Sequence, residues 1–114
     1  MAEDCIFCSI ANGKIPVGFV AESEDAVAFR DVNPQARVHV LVIPRQHVES
    51  LDAAKDPVLL GKLLEMAAEV ARTEGIAESG YRTVVNTGRD GGQSVFHLHL
   101  HVIGGKHMSW PPFP

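Results

Sequence analysis

A stretch of alternating residues at 95–103 restricts the possible folds more than any other part of the chain. Histidines occupy positions 97, 99 and 101, and apolar residues occupy positions 96, 98, 100 and 102. A period of two is that of a β-strand, so the stretch predicts a strand with three imidazoles on one face and a packed core on the other. Second neighbours along a strand lie about 6.5 Å apart. Three imidazoles at that spacing could surround a small anion, a metal ion, or one of each.

The loop before this strand, 88–94, is rich in glycine and small polar residues. Its backbone N–H groups could point at whatever the imidazoles hold. The loop lacks the Gly-Lys-Ser/Thr ending of a P-loop, which argues against a magnesium-dependent NTPase, so we expect no magnesium requirement. Ser94, at the start of the strand, could reach the leaving atom of a substrate.

Composition excludes several classes of partner. The chain has 114 residues and a net charge of −4, with its lysines and arginines scattered rather than clustered. This argues for a single domain, and against nucleic acid or an anionic membrane as the main partner. The acidic N-terminus leads into no apolar run, and no run approaches the length of a membrane span. With two cysteines and no secretion signal, we expect a cytoplasmic protein.

The rest of the chain predicts an α+β domain with antiparallel strands and one main helix. Asp56 as N-cap, Pro57 in the first turn and Gly75 at the end mark that helix over 57–75. The other predicted elements are a short helix ended by Asn12 and Gly13, strands over 19–22, 26–31, 38–43 and 81–86, and a proline-rich tail over 110–114.

The 57–75 helix has an unusually wide apolar arc. Its polar residues form one narrow stripe: Lys62, Glu65, Glu69 and Arg72. An arc this wide exceeds what one sheet face covers, which predicts a second partner. We expect a homodimer in which Leu63 and Met66 contact the other subunit; the alternative is a helix that is fully internal.

Two kinds of chemistry suit the histidines. Neutral imidazole is a good nucleophile near neutral pH, and a second imidazole can donate to a phosphate oxygen or protonate a leaving group. Metal binding is the alternative, and it fits best at the CxxC pair Cys5 and Cys8, where His47 or His97 could complete a tetrahedral site. By spacing alone the pair could equally be two reduced thiols.

The stretch 97–103 resembles the signature of the histidine triad (HIT) family, in which three histidines alternate with apolar residues. The wider match is to the Hint branch of that family and rests on Asn86 and on segments 29–31, 39–44, 91–95 and 110–112. The resemblance implies one HIT domain over 1–114, with an antiparallel sheet of about five strands, one long and one short helix, and two sheets joined in a homodimer. It also implies hydrolysis of purine nucleoside phosphoramidates to AMP through a nucleotidyl-histidine intermediate.

The resemblance assigns roles to individual residues. His99 matches the nucleophile, His97 is the first histidine of the triad, and Asp31 matches the ribose-binding acid. The residues that match the binding of the phosphate and leaving group are His101, Asn86, Gly92, Gln93, Ser94 and Val95, with His39 lining the same site. The residues that match the walls of the base pocket are Ile6, Phe7, Ile10, Phe29, Val32 and Leu41.

Two features depart from the best-known animal Hint proteins. Those proteins lack the Cys5–Cys8 pair, whereas bacterial HIT proteins and galactose-1-phosphate uridylyltransferases carry a similar one. By that resemblance the zinc ligands here are Cys5, Cys8, His47 and His97. The tail 110–114 departs from the usual Trp-Pro-Pro-Gly ending. Two alternatives stay open: a dinucleoside polyphosphate hydrolase, and a nucleotide-binding interaction protein with vestigial catalysis.

Overall fold

The computed structural model describes residues 4–112. The first three residues of the acidic N-terminus, and Phe113 and Pro114 of the tail, lie outside the described residues. The elements, in chain order, are α1 (Ile6–Ala11), β1 (Phe19–Glu22), β2 (Ala26–Arg30), β3 (Val38–Pro44), α2 (Pro57–Thr73), β4 (Tyr81–Val84) and β5 (Leu100–Gly104). The five strands form one antiparallel sheet in the order β1-β2-β3-β5-β4, which confirms the predicted α+β class.

Helix α2 begins and ends close to the predicted residues. The Asp56 side chain accepts hydrogen bonds from the backbone N–H groups of Val58 and Leu59, at 3.0 and 3.3 Å. Gly75, with φ at +77°, takes the left-handed conformation that ends many helices. Neither helix of the described residues is long and apolar enough to cross a membrane.

Each face of the sheet packs against one helix. Strand β3 lies at the centre of the sheet and all seven of its residues are buried. Side chains of β3 and β5 pack against α2 in one core, which contains Val40, Val42, Leu98, Leu100, Val102, Leu63, Met66 and Val70. The opposite face packs against α1 in a second core, which contains Phe7, Ile10, Val27, Phe29, Leu41 and Ile43.

Only the second half of the histidine segment is a strand: β5 begins at Leu100, whereas the prediction began at residue 95. Its partner β3 ends at Pro44, which has no N–H to continue the ladder. Beyond that point the His97 ring bonds the Pro44 carbonyl at 2.8 Å, and the Leu98 N–H bonds the Val48 carbonyl at 2.7 Å. The predicted alternation of faces nevertheless persists from Leu98 onward, but Phe96 is 59% exposed and outside the core.

The predicted dimer contact through Leu63 and Met66 is wrong. Leu63 is 0% exposed and Met66 is 5% exposed, because both pack against the chain's own sheet. The exposed apolar residues of α2 are instead Val58 and Leu64, at 64% and 57%. The apolar arc is therefore mostly internal, as the alternative interpretation expects.

Candidate active site and metal cluster

A cavity of about 290 Å³ lies between α1 and the sheet. The sheet register explains which side chains enter it: Phe29 on β2, Leu41 on β3 and His101 on β5 are direct cross-strand neighbours, so all three point to the α1 face. The residues that line the cavity are Ile6, Phe7, Ile10, Phe29, Asp31, Val32, Leu41, Ser94, Val95, His99 and His101. A mostly apolar pocket with a few convergent polar groups is typical of a small-molecule site.

His99 is held in one orientation at this cavity. Its Nδ1–H donates a hydrogen bond of 2.7 Å to the backbone carbonyl of His97, two residues earlier in the chain. A carbonyl only accepts, so Nδ1 carries the proton and Nε2 keeps a lone pair. The Phe7 ring meets the imidazole edge-on, with centroids 5.2 Å apart. His99 is therefore a buried imidazole held in one orientation, and its neutral form has the proton on Nδ1 and the lone pair on Nε2.

His39 and His101 form a second oriented pair. The Gln35 N–H donates to His39 Nδ1 at 3.0 Å, so the proton of His39 is on Nε2. That Nε2 lies 2.9 Å from His101 Nδ1 and 3.3 Å from Asp31 Oδ2. His101 Nδ1 therefore accepts, and the His101 proton is on Nε2. Within residues 4–112, this Nε2 is the buried side-chain nitrogen or oxygen that has no hydrogen-bond partner. It is available for a ligand.

Burial keeps His101 neutral. Its pKa is lowered to about 4, mainly by desolvation; the nearby His99 and His39 also lower it, and Asp31 raises it by less. At neutral pH His101 therefore offers an N–H donor rather than a positive charge. The pKa of His97 is also lowered, mainly by its burial.

The loop before the triad is held by the Gln93 side chain. Its Oε1 accepts from the Gly88 N–H at 3.0 Å, and its Nε2 donates to the carbonyls of Glu49 and Val95, at 2.7 and 3.1 Å. The Gln93 side chain thus positions Val95. Neither Gln93 nor Gly92 lines the cavity. At Gly91 a Cβ would lie 2.4 Å from the Thr87 carbonyl oxygen, so the turn requires glycine there.

Asn86 does not line the cavity. It lines a separate groove of about 460 Å³ together with Gln35, Arg82 and Pro112. Gln35 links this groove to the cavity through its bond to His39, and the contact of Asn86 with substrate stays a prediction.

Four potential metal ligands, Cys5, Cys8, His47 and His97, meet at the N-terminal end of α1; we call them the thiol cluster. Their ligand atoms all lie within 4.8 Å of one another. His97 Nδ1 lies 3.3 Å from Cys5 Sγ and 3.5 Å from Cys8 Sγ, and His47 Nδ1 lies 3.2 Å from Cys8 Sγ. In a tetrahedral zinc site the usual bond lengths place sulfur and nitrogen ligands about 3.5 Å apart.

The far side of His97 also fits metal binding. Its Nε2–H donates to the Pro44 carbonyl at 2.8 Å, which leaves a lone pair on Nδ1, towards the thiols. This is the usual second-shell bond of a metal-bound histidine. Asp31, His39 and His101 form another group with ligand atoms within 4.8 Å, which we call the carboxylate cluster.

Several of the orienting contacts were missed by sequence reasoning. The rings of His99 and His97 donate to backbone carbonyls, and the ring of His39 accepts from a backbone N–H. Backbone groups carry no residue-type signal, so no motif could have identified them.

Comparison with known proteins places the chain among related sequences and structures. A family model described as "HIT domain" matches residues 12–108. An uncharacterized HIT-like protein of Synechocystis sp. is 52% identical, over 98% of this chain and 99% of that protein.

Two solved structures are also similar over nearly their whole length. The crystal structure of a HIT family hydrolase from Legionella pneumophila has a TM-score of 0.92 and 45% identity, and covers 96% of this chain and 100% of that one. A histidine triad protein from Clostridium difficile has a TM-score of 0.91 and 40% identity, and covers 96% of each chain.

Proposed function

The chain belongs to the HIT family, and from that premise we propose that it hydrolyses the P–N bond of purine nucleoside 5′-phosphoramidates. The products are AMP, or the corresponding purine nucleotide, and the free amine of an AMP–amine conjugate. An aminoacyl adenylate, which is joined to phosphorus through a carboxyl oxygen, would release AMP and the amino acid by the same attack. The observation that carries the proposal is the 2.7 Å bond from His99 Nδ1–H to the His97 carbonyl, because it leaves a lone pair on Nε2 of a residue that lines the cavity.

The first chemical step is attack by His99 Nε2 on the α-phosphorus. A P–N bond to the imidazole forms as the P–N bond to the amine breaks, and the departing amine takes up one proton. Ser94 lines the cavity on the triad side and supplies the hydroxyl that passes this proton to the amine. In the second step water attacks the nucleotidyl-histidine, and the P–N bond to His99 breaks and returns the lone pair to Nε2. The attacking water releases one proton, which replaces the proton that left with the amine.

His101 stabilises the charge that develops on the phosphoryl oxygens. Its Nε2–H is buried and without a protein partner, so a phosphate oxygen can accept from it at no cost to an existing bond. The donor is oriented before substrate arrives, because His39 holds the opposite ring nitrogen at 2.9 Å.

The remaining lining suits a nucleoside. The apolar side chains of α1, β2 and β3 form the walls that would enclose a purine, and Asp31 offers a carboxylate to the ribose hydroxyls. The lining contains no lysine or arginine. A chain of several phosphates would need such cations, so the lining favours a single phosphate over the dinucleoside polyphosphate alternative.

The thiol cluster fits one zinc ion, held by Cys5, Cys8, His47 and His97 in a structural site. Bound zinc would supply a rigid four-way link between α1, the segment after β3 and the triad. Both thiols must stay reduced to serve as ligands, which supports the cytoplasmic location expected from the sequence.

A homodimer is also part of the proposal. Strand β4 is at one edge of the sheet, and an open edge can pair with the same strand of a second copy to join two sheets. Sedimentation at micromolar concentration should give a dimer. A monomer at that concentration would contradict the proposal.

The function is tested with an adenosine 5′-phosphoramidate of a fluorescent amine, compared with a diadenosine polyphosphate at equal concentration. We expect turnover of the phosphoramidate and little or none of the polyphosphate. Mass spectrometry of the quenched reaction should find the nucleotidyl group on the peptide that contains residues 97–101. AMP binding without turnover of either compound would favour a binding protein with vestigial catalysis.

A further inference from the structure

We infer that metal binding at the thiol cluster and nucleotide binding in the cavity are thermodynamically coupled, each tightening the other. This inference rests on the proposed function, because it takes the cavity to be the nucleotide site. Three features support it: one helix serves both sites, one histidine joins them, and the metal site is open to exchange.

Helix α1 contributes to both sites from only six residues. Cys5 is its N-cap and Cys8 lies in its first turn, while Ile6, Phe7 and Ile10 line the cavity. A helix of two turns is not stable on its own, so its position depends on what its side chains hold. A metal bound to both thiols would fix the helix, and with it one wall of the cavity.

His97 joins the thiol cluster to the nucleophile. Its ring is 0% exposed and reaches both thiols, and its backbone carbonyl accepts the 2.7 Å bond that orients His99. Phe7 packs edge-on against both imidazoles, with centroids 6.0 Å from His97 and 5.2 Å from His99. A shift of His97 on loss of the metal would therefore move both the bond to His99 and the aromatic contact beside it.

The metal site is accessible enough for its occupancy to change. A groove of about 440 Å³ is lined by the ligands Cys5 and His47, and shares Ile6, Ser94 and Val95 with the nucleotide cavity. A metal ion can therefore reach two of its ligands from this groove, so the occupancy of the site can be titrated.

Coupling between two binding sites must be reciprocal. If zinc tightens AMP binding by some factor, AMP must tighten zinc binding by the same factor. Couplings of this kind typically change affinity about 5- to 150-fold, and we expect about 10-fold here. A factor well above one, found equal in two independent titrations, is a result that a purely structural metal uncoupled from the nucleotide would not give.

The experiment measures both arms on the full chain. Calorimetry gives the Kd of AMP for the zinc-loaded and the metal-free protein, and chelator competition gives the Kd of zinc with and without saturating AMP. Free zinc is buffered so that none binds AMP in solution. Equal AMP affinity in the two forms would overturn the coupling and leave the proposed function standing. No AMP binding to either form would overturn both.

A second measurement covers the case in which the metal-free protein unfolds. Cobalt(II) replaces zinc, and the visible bands of cobalt bound to thiolate are recorded in the folded, loaded protein. AMP should shift these bands, whereas inorganic phosphate at the same concentration should not reproduce the shift. Bands that stay unchanged at saturating AMP would overturn the inference.

Phe7→Leu tests the path of the coupling. The variant keeps all four ligands and an apolar side chain, but loses the ring that contacts both His97 and His99. We expect zinc affinity without AMP to stay near the wild-type value while the coupling factor falls towards one. An unchanged factor would exclude Phe7 from the path.

Discussion

The thiol cluster and the carboxylate cluster look alike by ligand spacing, since in each the ligand atoms lie within 4.8 Å of one another. They differ in the backbone group on the far side of one histidine. At His97 the ring Nε2–H donates to the Pro44 carbonyl, so Nδ1, the nitrogen that faces the thiols, has a lone pair. At His39 the Gln35 N–H occupies the lone pair, so the nitrogen that faces His101 carries the proton.

A protonated ring nitrogen cannot bind a metal ion, so the same spacing has two outcomes. The thiol cluster is set to bind a cation, and the carboxylate cluster is set to pass hydrogen bonds towards the cavity. Ligand geometry alone therefore does not identify a metal site; the second-shell backbone group decides.

The largest effect is expected from removing the nucleophile, which should leave the thiol cluster intact. His99→Ala should lower turnover of an adenosine phosphoramidate by about 10⁴-fold or more, because no other group can form the covalent intermediate. Zinc content should stay at about one per chain, since His99 is not a ligand. Steady-state assays and metal analysis on the same preparation check this. Near-normal turnover would rule out the covalent mechanism.

A second contrast tests which cluster holds zinc. Cys8→Ser should remove the zinc and lower the free energy of unfolding by roughly 3–5 kcal/mol, because metal binding energy is folding energy. Asp31→Asn is the matched change in the carboxylate cluster and should keep the full zinc content, with turnover lowered about 10-fold through the lost ribose contact. Zinc retained in Cys8→Ser, or lost in Asp31→Asn, would reverse the assignment of the two clusters.

Local sequence signals predicted the elements well where the determinants are short-range. Asp56, Pro57 and Gly75 marked α2 because caps act within one turn. The start of β5 was predicted five residues too early, because it depends on where the neighbouring strand ends. That strand ends at Pro44, which is 53 residues before His97 in the chain.

The site was predicted best where a side chain's face follows from strand alternation. Phe29, Leu41 and His101 enter the cavity for that reason. Asn86 lies outside the cavity and Gln93 holds the loop instead of lining it, because loop side chains follow no period. The width of an apolar arc also does not show whether the arc packs against the chain's own sheet or against a partner subunit. The prediction that Leu63 contacts a partner was wrong for this reason.

A smaller effect is expected from breaking the orientation of His101. His39→Ala removes the Nε2–H that holds His101 Nδ1 at 2.9 Å, so His101 can adopt either tautomer. Turnover should fall about 10- to 100-fold, mainly in kcat, while zinc content is unchanged. Nitrogen-15 NMR should show the Nε2–H tautomer of His101 in the wild type and a mixture in the variant. A loss of zinc in His39→Ala would mean that His39 is needed to hold the metal, which would contradict the assignment of zinc to the thiol cluster.

The smallest effect is the contribution of His101, in the carboxylate cluster, to the pH dependence of stability. His101 has a pKa of about 4 in the folded protein, because burial disfavours its charged form, against about 6.5 when unfolded. Between these values the unfolded state binds more protons than the folded state, so the free energy of unfolding rises with pH. The contribution is fully lost near pH 4 and fully present above about pH 6.5.

The His101 contribution is isolated by comparing the wild type with His101→Asn in urea unfolding from pH 4.5 to 7. Both proteins carry the same thiol cluster, so proton release linked to zinc cancels in the difference. His101 is only partly buried, so the wild type should lose stability faster as pH falls, by well under about 1.4 kcal/mol per pH unit. Above about pH 6.5 the difference should be constant, and turnover of the wild type should show no His101 titration between pH 5 and 8. Identical slopes in the two proteins would mean that burial does not lower the pKa of His101, and the ring would then become a cation below about pH 6.5 instead of staying a neutral N–H donor.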